Sequence, residues 1–320
     1  MIGILLINLG TPEAPTENAV RKYLDVFLSD PYVITLPKFL RDFLVQKIIL
    51  PKRPKISAHA YQQIWTDEGS PLLVNSLALQ KALQEKYGDR YCVALGMRYS
   101  NPSIEDAIIY LQKNNCEKII VFPLFPQFSN ATTQSALDAV NAVFKKINYI
   151  GEITIIRDFY NYDAYINPLA EKARKARLAP DEFILFSYHG LPKRRTDAEM
   201  YREHCFITTD LIAKQLGLPA EKYLTVFQSR LGFTKWIGPY TDHALKSLKK
   251  KNIKKLTVVC PSFVADCVET LEEINIRLRA QWMQLGGESF ELIPCLNADP
   301  YWVDGLSSIV ETSIYRVSDL

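Results

Sequence analysis

The sequence predicts an α/β fold built on parallel strands. Short apolar runs alternate along the chain with longer stretches of helical periodicity. Several of those runs are apolar at successive positions, as strands covered by helices on both faces must be. For a chain of 320 residues this spacing favours two parallel sheets of about four strands each over one sheet of about eight.

Taken in order, Ile2–Asn8 (IGILLIN), Tyr91–Gly96, Lys118–Pro123 (KIIVFP), Glu152–Ile156, Phe183–Ser187, Thr225–Gln228 and Leu256–Cys260 (LTVVC) read as strands. Ser103–Asn114, Thr133–Lys146 and His243–Lys250 read as helices between them. The polar, aromatic stretch from Arg157 to Asp163 marks the change of domain, giving one domain over 1–160 and a second over 161–320. The lysine-rich KSLKKKNIKK (246–255) reads as a solvated helix end and loop ahead of a buried strand.

Composition narrows the function. Apolar residues make up 48% of the chain, enough for a sizeable core, and 23% are charged, so the class is globular. A net charge of +3 without an aromatic-interleaved basic patch argues against nucleic acid. The six cysteines form no CxxC and no paired Cys/His spacing, which argues against a disulfide framework or a zinc site. The chain runs from Met1 straight into a strand, and no apolar run approaches the ~18 residues a spanning helix needs, so a cytoplasmic protein is expected. Thirteen glycines include neither GxGxxG nor GxxxxGK[ST], which speaks against NAD or ATP in these sheets.

Open α/β sheets bind ligands beyond the carboxyl ends of their strands. Four segments occupy such places: NLGTP (8–12), LFPQFSNATTQS (124–135), YHGLP (188–192) and PSFVADCVETLEEI (261–274). In the last, Asp266, Glu269 and Glu273 stand at i, i+3 and i+7, one face of an α-helix. Asp266 and Glu269 also have capping-box spacing, but that leaves Glu273 unexplained. Crowded carboxylates raise one another's pKa and can carry protons, or attract a divalent cation. His189, one of four histidines, sits at a strand end in a Gly-Pro turn. It is either a satisfied structural histidine or a group that accepts a proton or binds a metal near neutral pH. In 32–55, Phe39, Leu40, Phe43, Leu44 and Ile48 form an apolar stripe among Lys38, Arg41, Lys47, Lys52, Arg53 and Lys55. The stripe fits an ordinary core-facing helix, or a greasy basic lip that touches an apolar anionic ligand or a membrane surface.

Together these segments resemble the ferrochelatase family, whose members insert ferrous iron into protoporphyrin at the end of haem synthesis. The resemblance runs from NLGTP to LNADP (296–300) through EGSPL (68–72), LGMRYSNPSI (95–104), FPQFSNATTQS (125–135), LFSYHGLP (185–192), FQSRLG (227–232), PYTDHALK (239–246) and CPSFVADCVETLEEI (260–274). It implies two similar Rossmann-like domains of the chelatase-like kind, each a four-stranded parallel sheet flanked by helices, with an active-site cleft between them. A C-terminal helix, Asp299 to Val317, would pack back on the first domain. The resemblance makes the chain a lyase with Fe2+ and protoporphyrin IX as substrates and no cofactor.

By the same resemblance, His189 and Glu269 are catalytic and contact the metal, and Asp266 and Glu273 continue a relay for protons or metal. Leu9, Ser70, Arg98, Tyr99, Ser129, Thr132 and Trp236 line the porphyrin pocket. Cys267 stands where many members carry a second histidine, a feature shared with proteobacterial members. Without a cysteine cluster beyond Cys295, the iron–sulfur cluster of some relatives is not expected. Leu9 replaces the tyrosine common in coproporphyrin-using relatives, which favours protoporphyrin. The lip at 32–55 suits capture of a greasy dicarboxylate and peripheral membrane contact. The rival readings are a chelatase for another macrocycle, a non-catalytic tetrapyrrole carrier and a two-domain solute-binding protein.

Overall fold

The computed structural model describes residues 1–176, 182–230, 232 and 234–315. Leu231 of the FQSRLG segment and positions 316–317 of the expected final helix lie outside the described residues. The chain divides into two compact units, Met1–Asp158 with the stretch from Ser307, and Phe159–Leu306.

In the first unit, β1 (Ile2–Asn8), β2 (Tyr91–Met97), β3 (Lys118–Pro123) and β4 (Glu152–Ile155) form one parallel sheet in the order β2-β1-β3-β4. The central strand β1 is buried from Gly3 to Asn8, which is why its sequence shows no polar alternation. Helices Ile104–Lys113 and Ser135–Lys146 bury apolar faces on the sheet, placing Ile108, Leu111, Val140 and Phe144 against Leu5, Ile7 and Val121. Ser103 starts the first of these helices with a reciprocal capping box to Asp106.

The second unit repeats this order with β5 (Phe183–His189), β6 (Tyr223–Gln228), β7 (Lys255–Val259) and β8 (Ser289–Leu292), arranged β6-β5-β7-β8. The edge strand β8 has no counterpart in the sequence reading. Of its four residues only Phe290 is buried, so it carries almost no hydrophobic signal. In both sheets the direction of winding reverses at the central pair, β1 and β3 or β5 and β7. The carboxyl ends of those pairs are where a crevice opens in this topology.

Three short segments wind as π-helix: Leu44–Ile49, Asn130–Gln134 and Glu269–Leu278. This form is rare and concentrates at functional sites. Each lies in a segment singled out above. The sequence reading placed Asp266, Glu269 and Glu273 on one face of an α-helix. Instead the π-helix begins at Glu269, leaving Asp266 outside it. Its wider turn brings residues five apart together, so Glu272 forms a two-oxygen pair with Arg277 at 2.8 and 2.9 Å and turns away from Glu273.

The region 32–55 also differs from a core-facing helix. Phe39, Leu40, Phe43 and Ile48 face solvent, Phe39 being 72% exposed, while Val45 and Leu50 make the buried contact. Arg41, counted above with the basic rim, is buried and donates to the Leu36 carbonyl at 2.9 Å. The final helix, Pro300–Tyr315, contains the unit boundary; from Ser307 it belongs to the first unit, where the Tyr87 hydroxyl reaches the Ser307 carbonyl at 3.4 Å. Among the described residues no helix is long and apolar enough to cross a membrane.

Candidate active site

His189 is the last residue of β5, at the reversal point of the second sheet. Its Nδ1 lies 2.7 Å from the Gly190 carbonyl oxygen. A carbonyl only accepts, so Nδ1 carries the proton in the neutral ring and Nε2 keeps an in-plane lone pair. The following turn requires glycine, because a Cβ on Gly190 would come within 2.8 Å of the Gln228 carbonyl oxygen. That approach lets the Gly190 N–H donate to the same oxygen at 2.9 Å and lets Trp236 lie against Gly190. Trp236 is fixed by a short antiparallel strap in which Ile237 N–H donates to Leu191 and Lys193 N–H to Lys235, both at 2.9 Å. The sequence-predicted residues His189 and Trp236 are thus neighbours on opposite sides of Gly190.

Gln228 joins this strand end to the π-helix. It pairs with His189 across β5 and β6, and its Nε2 donates to the Glu269 backbone carbonyl at 3.0 Å. Its Oε1 accepts from the buried Ser187 hydroxyl at 2.8 Å, which sets the orientation of the amide. Ser229 next takes a positive φ of 65°, a strained conformation for a residue with a Cβ. The Glu273 carboxylate holds it there, accepting its N–H at 2.8 Å on one oxygen and its hydroxyl at 2.5 Å on the other. Gln228 and Ser229 fell within the FQSRLG segment, but no local pattern marked them as the clamp between His189 and the acidic helix.

The acidic residues do different things. Asp266 is buried: Thr270 Oγ1 and the Cys295 N–H donate to one carboxylate oxygen at 3.0 and 3.3 Å, and Asn297 Nδ2 to the other at 2.8 Å. The capping pair is realised one residue later than Asp266 and Glu269, with Thr270 Oγ1 accepting the Cys267 N–H at 3.1 Å. Glu269 is half-buried at the first turn of the π-helix. Burial, and secondly the Glu269 carboxylate beside it, push the Cys267 thiol well above its ordinary pKa. The thiol stays protonated and hydrogen-bonds that carboxylate. All six cysteines are buried and free.

In the first unit two of the predicted residues, Arg98 and Tyr99, gather around an acid that the sequence reading missed. The buried Asp30 carboxylate accepts from Arg98 at 2.7 Å, the Tyr99 hydroxyl at 2.8 Å and the Ser135 hydroxyl at 2.6 Å on one oxygen, and from the Tyr32 N–H at 2.7 Å on the other. Arg98 Nε also donates to Ser135 Oγ at 2.9 Å. Burial raises the Tyr99 phenol far above its ordinary pKa, so it remains a donor. Ser70 is buried against Thr11 of NLGTP, hydroxyl to hydroxyl at 2.7 Å. Gly10 between them has φ +113° and leaves no room for a Cβ beside Ser100. Ser129 and Thr132 bond each other at 2.8 Å across the start of a π-turn, and Leu9 is half-buried against the apolar core.

Two parallel sheets of one strand order, with polar side chains gathered at the carboxyl ends beside each reversal, define a chelatase-type fold. SirB from Bacillus subtilis with Fe3+ shares it at a TM-score of 0.60 and 10% identity, over 98% of this chain and 95% of that one. The sirohydrochlorin chelatase SirB from Bacillus subtilis subspecies spizizenii, in complex with cobalt, gives 0.59 at 9% identity, over 98% and 94%. The family model Ferrochelatase matches residues 1–314. The ferrochelatase of Coxiella burnetii (strain Dugway 5J108-111) is 49% identical over 98% of this chain and 94% of its own length. That of Legionella pneumophila (strain Paris) is 45% identical over 98% and 99%. The chain belongs to the ferrochelatase family, the enzymes of haem biosynthesis that insert iron into porphyrin.

Removing Asp30 takes away the acceptor that Arg98, Tyr99 and Ser135 share and leaves the Arg98 guanidinium without its counter-charge. Asp30→Ala is therefore expected to cost about 3–5 kcal/mol of stability, the range for a broken buried pair. Urea unfolding followed by tryptophan fluorescence measures it; a loss below about 1 kcal/mol, the worth of a surface pair, would show that the acid holds nothing in place.

Proposed function

We propose that this ferrochelatase converts protoporphyrin IX and Fe2+ to protohaem and two protons, with His189 as the proton acceptor. One observation carries this reading: Nδ1 of His189 is committed to the Gly190 carbonyl, so Nε2 is the free base at a strand end where ligands bind. Free-base porphyrin holds two N–H protons at the centre of a flat ring, and both must leave as the metal enters. Nε2 takes a pyrrole proton or contacts the metal. Glu269 supplies a second metal-contacting or proton-accepting group, its backbone carbonyl held by Gln228 and its carboxylate beside the Cys267 thiol. Glu273 extends the acidic line from Glu269 for departing protons or arriving metal. Asp266, with both oxygens engaged, anchors the preceding loop.

Leu9, Ser70, Arg98, Tyr99, Ser129, Thr132 and Trp236 hold the porphyrin. Trp236 supplies an aromatic surface beside the reacting group, and grip on the periphery of the ring supplies the energy that bends it. Leu9 in place of tyrosine favours protoporphyrin over coproporphyrin. The spacing of the six buried cysteines, with none beyond Cys295, supports a reading without an iron–sulfur cluster. The exposed Phe39, Leu40, Phe43 and Ile48, rimmed by Lys47, Lys52 and Lys55, form a contiguous greasy, basic lip. Such a patch captures an apolar dicarboxylate and touches a membrane surface without crossing it.

Anaerobic incubation with protoporphyrin IX and Fe2+, followed by the free-base absorption bands, is expected to show rapid insertion by the wild type and none by His189→Ala with its fold intact. Near-full activity in that variant would remove His189 from the chemistry, and porphyrin binding without insertion under any metal would make the chain a carrier. Replacing Phe39 and Leu40 with serine is expected to weaken vesicle binding and porphyrin uptake. If both are unchanged, the lip has neither role.

A further inference from the structure

The strands flanking β5 are of unequal reach. Pairing with β6 continues to His189 and Gln228, whereas pairing with β7 ends at Phe186 and Val259. The N–H and C=O of one strand residue point toward the same neighbour. Those of His189 therefore point to the side on which the ladder has run out, where a partly buried peptide needs other partners. Two side chains supply them. Ser262 Oγ, from the loop after β7, accepts the His189 N–H at 3.1 Å. The Tyr201 hydroxyl, from helix Ala198–Leu216, donates to the His189 carbonyl at 2.9 Å. Together these two bonds ring the unpaired side of the His189 residue.

We infer that Tyr201 is a positioning residue for His189, acting through the backbone of the catalytic turn rather than on the substrate. Rotation of the peptide that joins His189 to Gly190 changes φ of Gly190 and so swings the following peptide, whose Gly190 carbonyl holds Nδ1. By fixing the His189 carbonyl within that peptide plane, Tyr201 fixes the direction of Nε2. The phenol is suited to this: it is buried, and burial raises its pKa, which favours the donor form. The inference rests on His189 being the proton acceptor.

Tyr201→Phe keeps the ring and removes the donor; Ser262→Ala removes the other half of the ring of bonds with little change in volume. Each is expected to lower kcat for iron insertion by about 10-fold or more, the usual effect of losing a group that orients a catalytic ligand. Porphyrin affinity and KM stay at the wild-type value, because neither residue belongs to the porphyrin-binding set. A fall in stability alone would reduce the active fraction without this split. Should Tyr201→Phe not fold, Ser262→Ala decides. Wild-type kcat in the folded variants, with His189→Ala inactive, would overturn the positioning role. Full activity of His189→Ala would instead overturn the assignment of His189 on which it rests.

Discussion

The site depends on a mismatch in strand length. Because β5 runs past the end of its pairing with β7, the His189 peptide has no strand on one side, and side chains complete the ladder there. On the other side Gln228 receives the Gly190 N–H. Holding the His189–Gly190 peptide from both edges of the sheet restrains φ of Gly190, which keeps the carbonyl of the following peptide on Nδ1 and the lone pair on Nε2. The tautomer of the imidazole is therefore decided by backbone geometry, without a carboxylate partner. A carboxylate behind Nδ1 would stabilise the imidazolium and retain the proton; a neutral carbonyl leaves His189 free to release it again.

The first unit meets the same topological condition differently. β1 ends at Asn8, whose side chain accepts the Leu9 N–H at 2.8 Å and donates to Ser76 at 3.1 Å. A neutral amide closes the strand end, with no titratable group at the reversal point. Charge there is supplied from the periphery by Arg98 and neutralised by Asp30, which ties the end of β2, the start of the helix at Ser135 and the entry to the lip into one cluster. The two units share a strand order, yet a histidine ends the central strand of one and an asparagine that of the other.

Much of this architecture was legible in the sequence. Among the described residues seven strands show as apolar runs: most are buried on both faces and cannot hide their composition, and β4, which buries only Thr154, still shows through Ile153 and Ile155. β8 escaped because SFEL buries one side chain. His189, Trp236 and Glu269 stand out in the sequence because their motifs lie at strand ends and turns. Asp30, Tyr201 and Ser262 do not, because their partners lie far away in sequence: Asp30 meets Ser135 across 105 residues and Ser262 meets His189 across 73. No local pattern encodes such contacts. The π-helix was hidden for another reason. An α-helical wheel places Glu273 with Asp266, and only the widened turn separates Glu272, paired to Arg277, from the carboxylates that face the strand end.

Selectively 15N-labelled histidine, with His189 assigned by its loss in His189→Ala, gives the most direct test of the central claim. Once the ring is seen to be neutral, Nδ1 is expected to show the shift and coupling of a protonated nitrogen and Nε2 those of a lone-pair nitrogen. A proton found on Nε2 would leave no base facing the substrate side and would contradict the account.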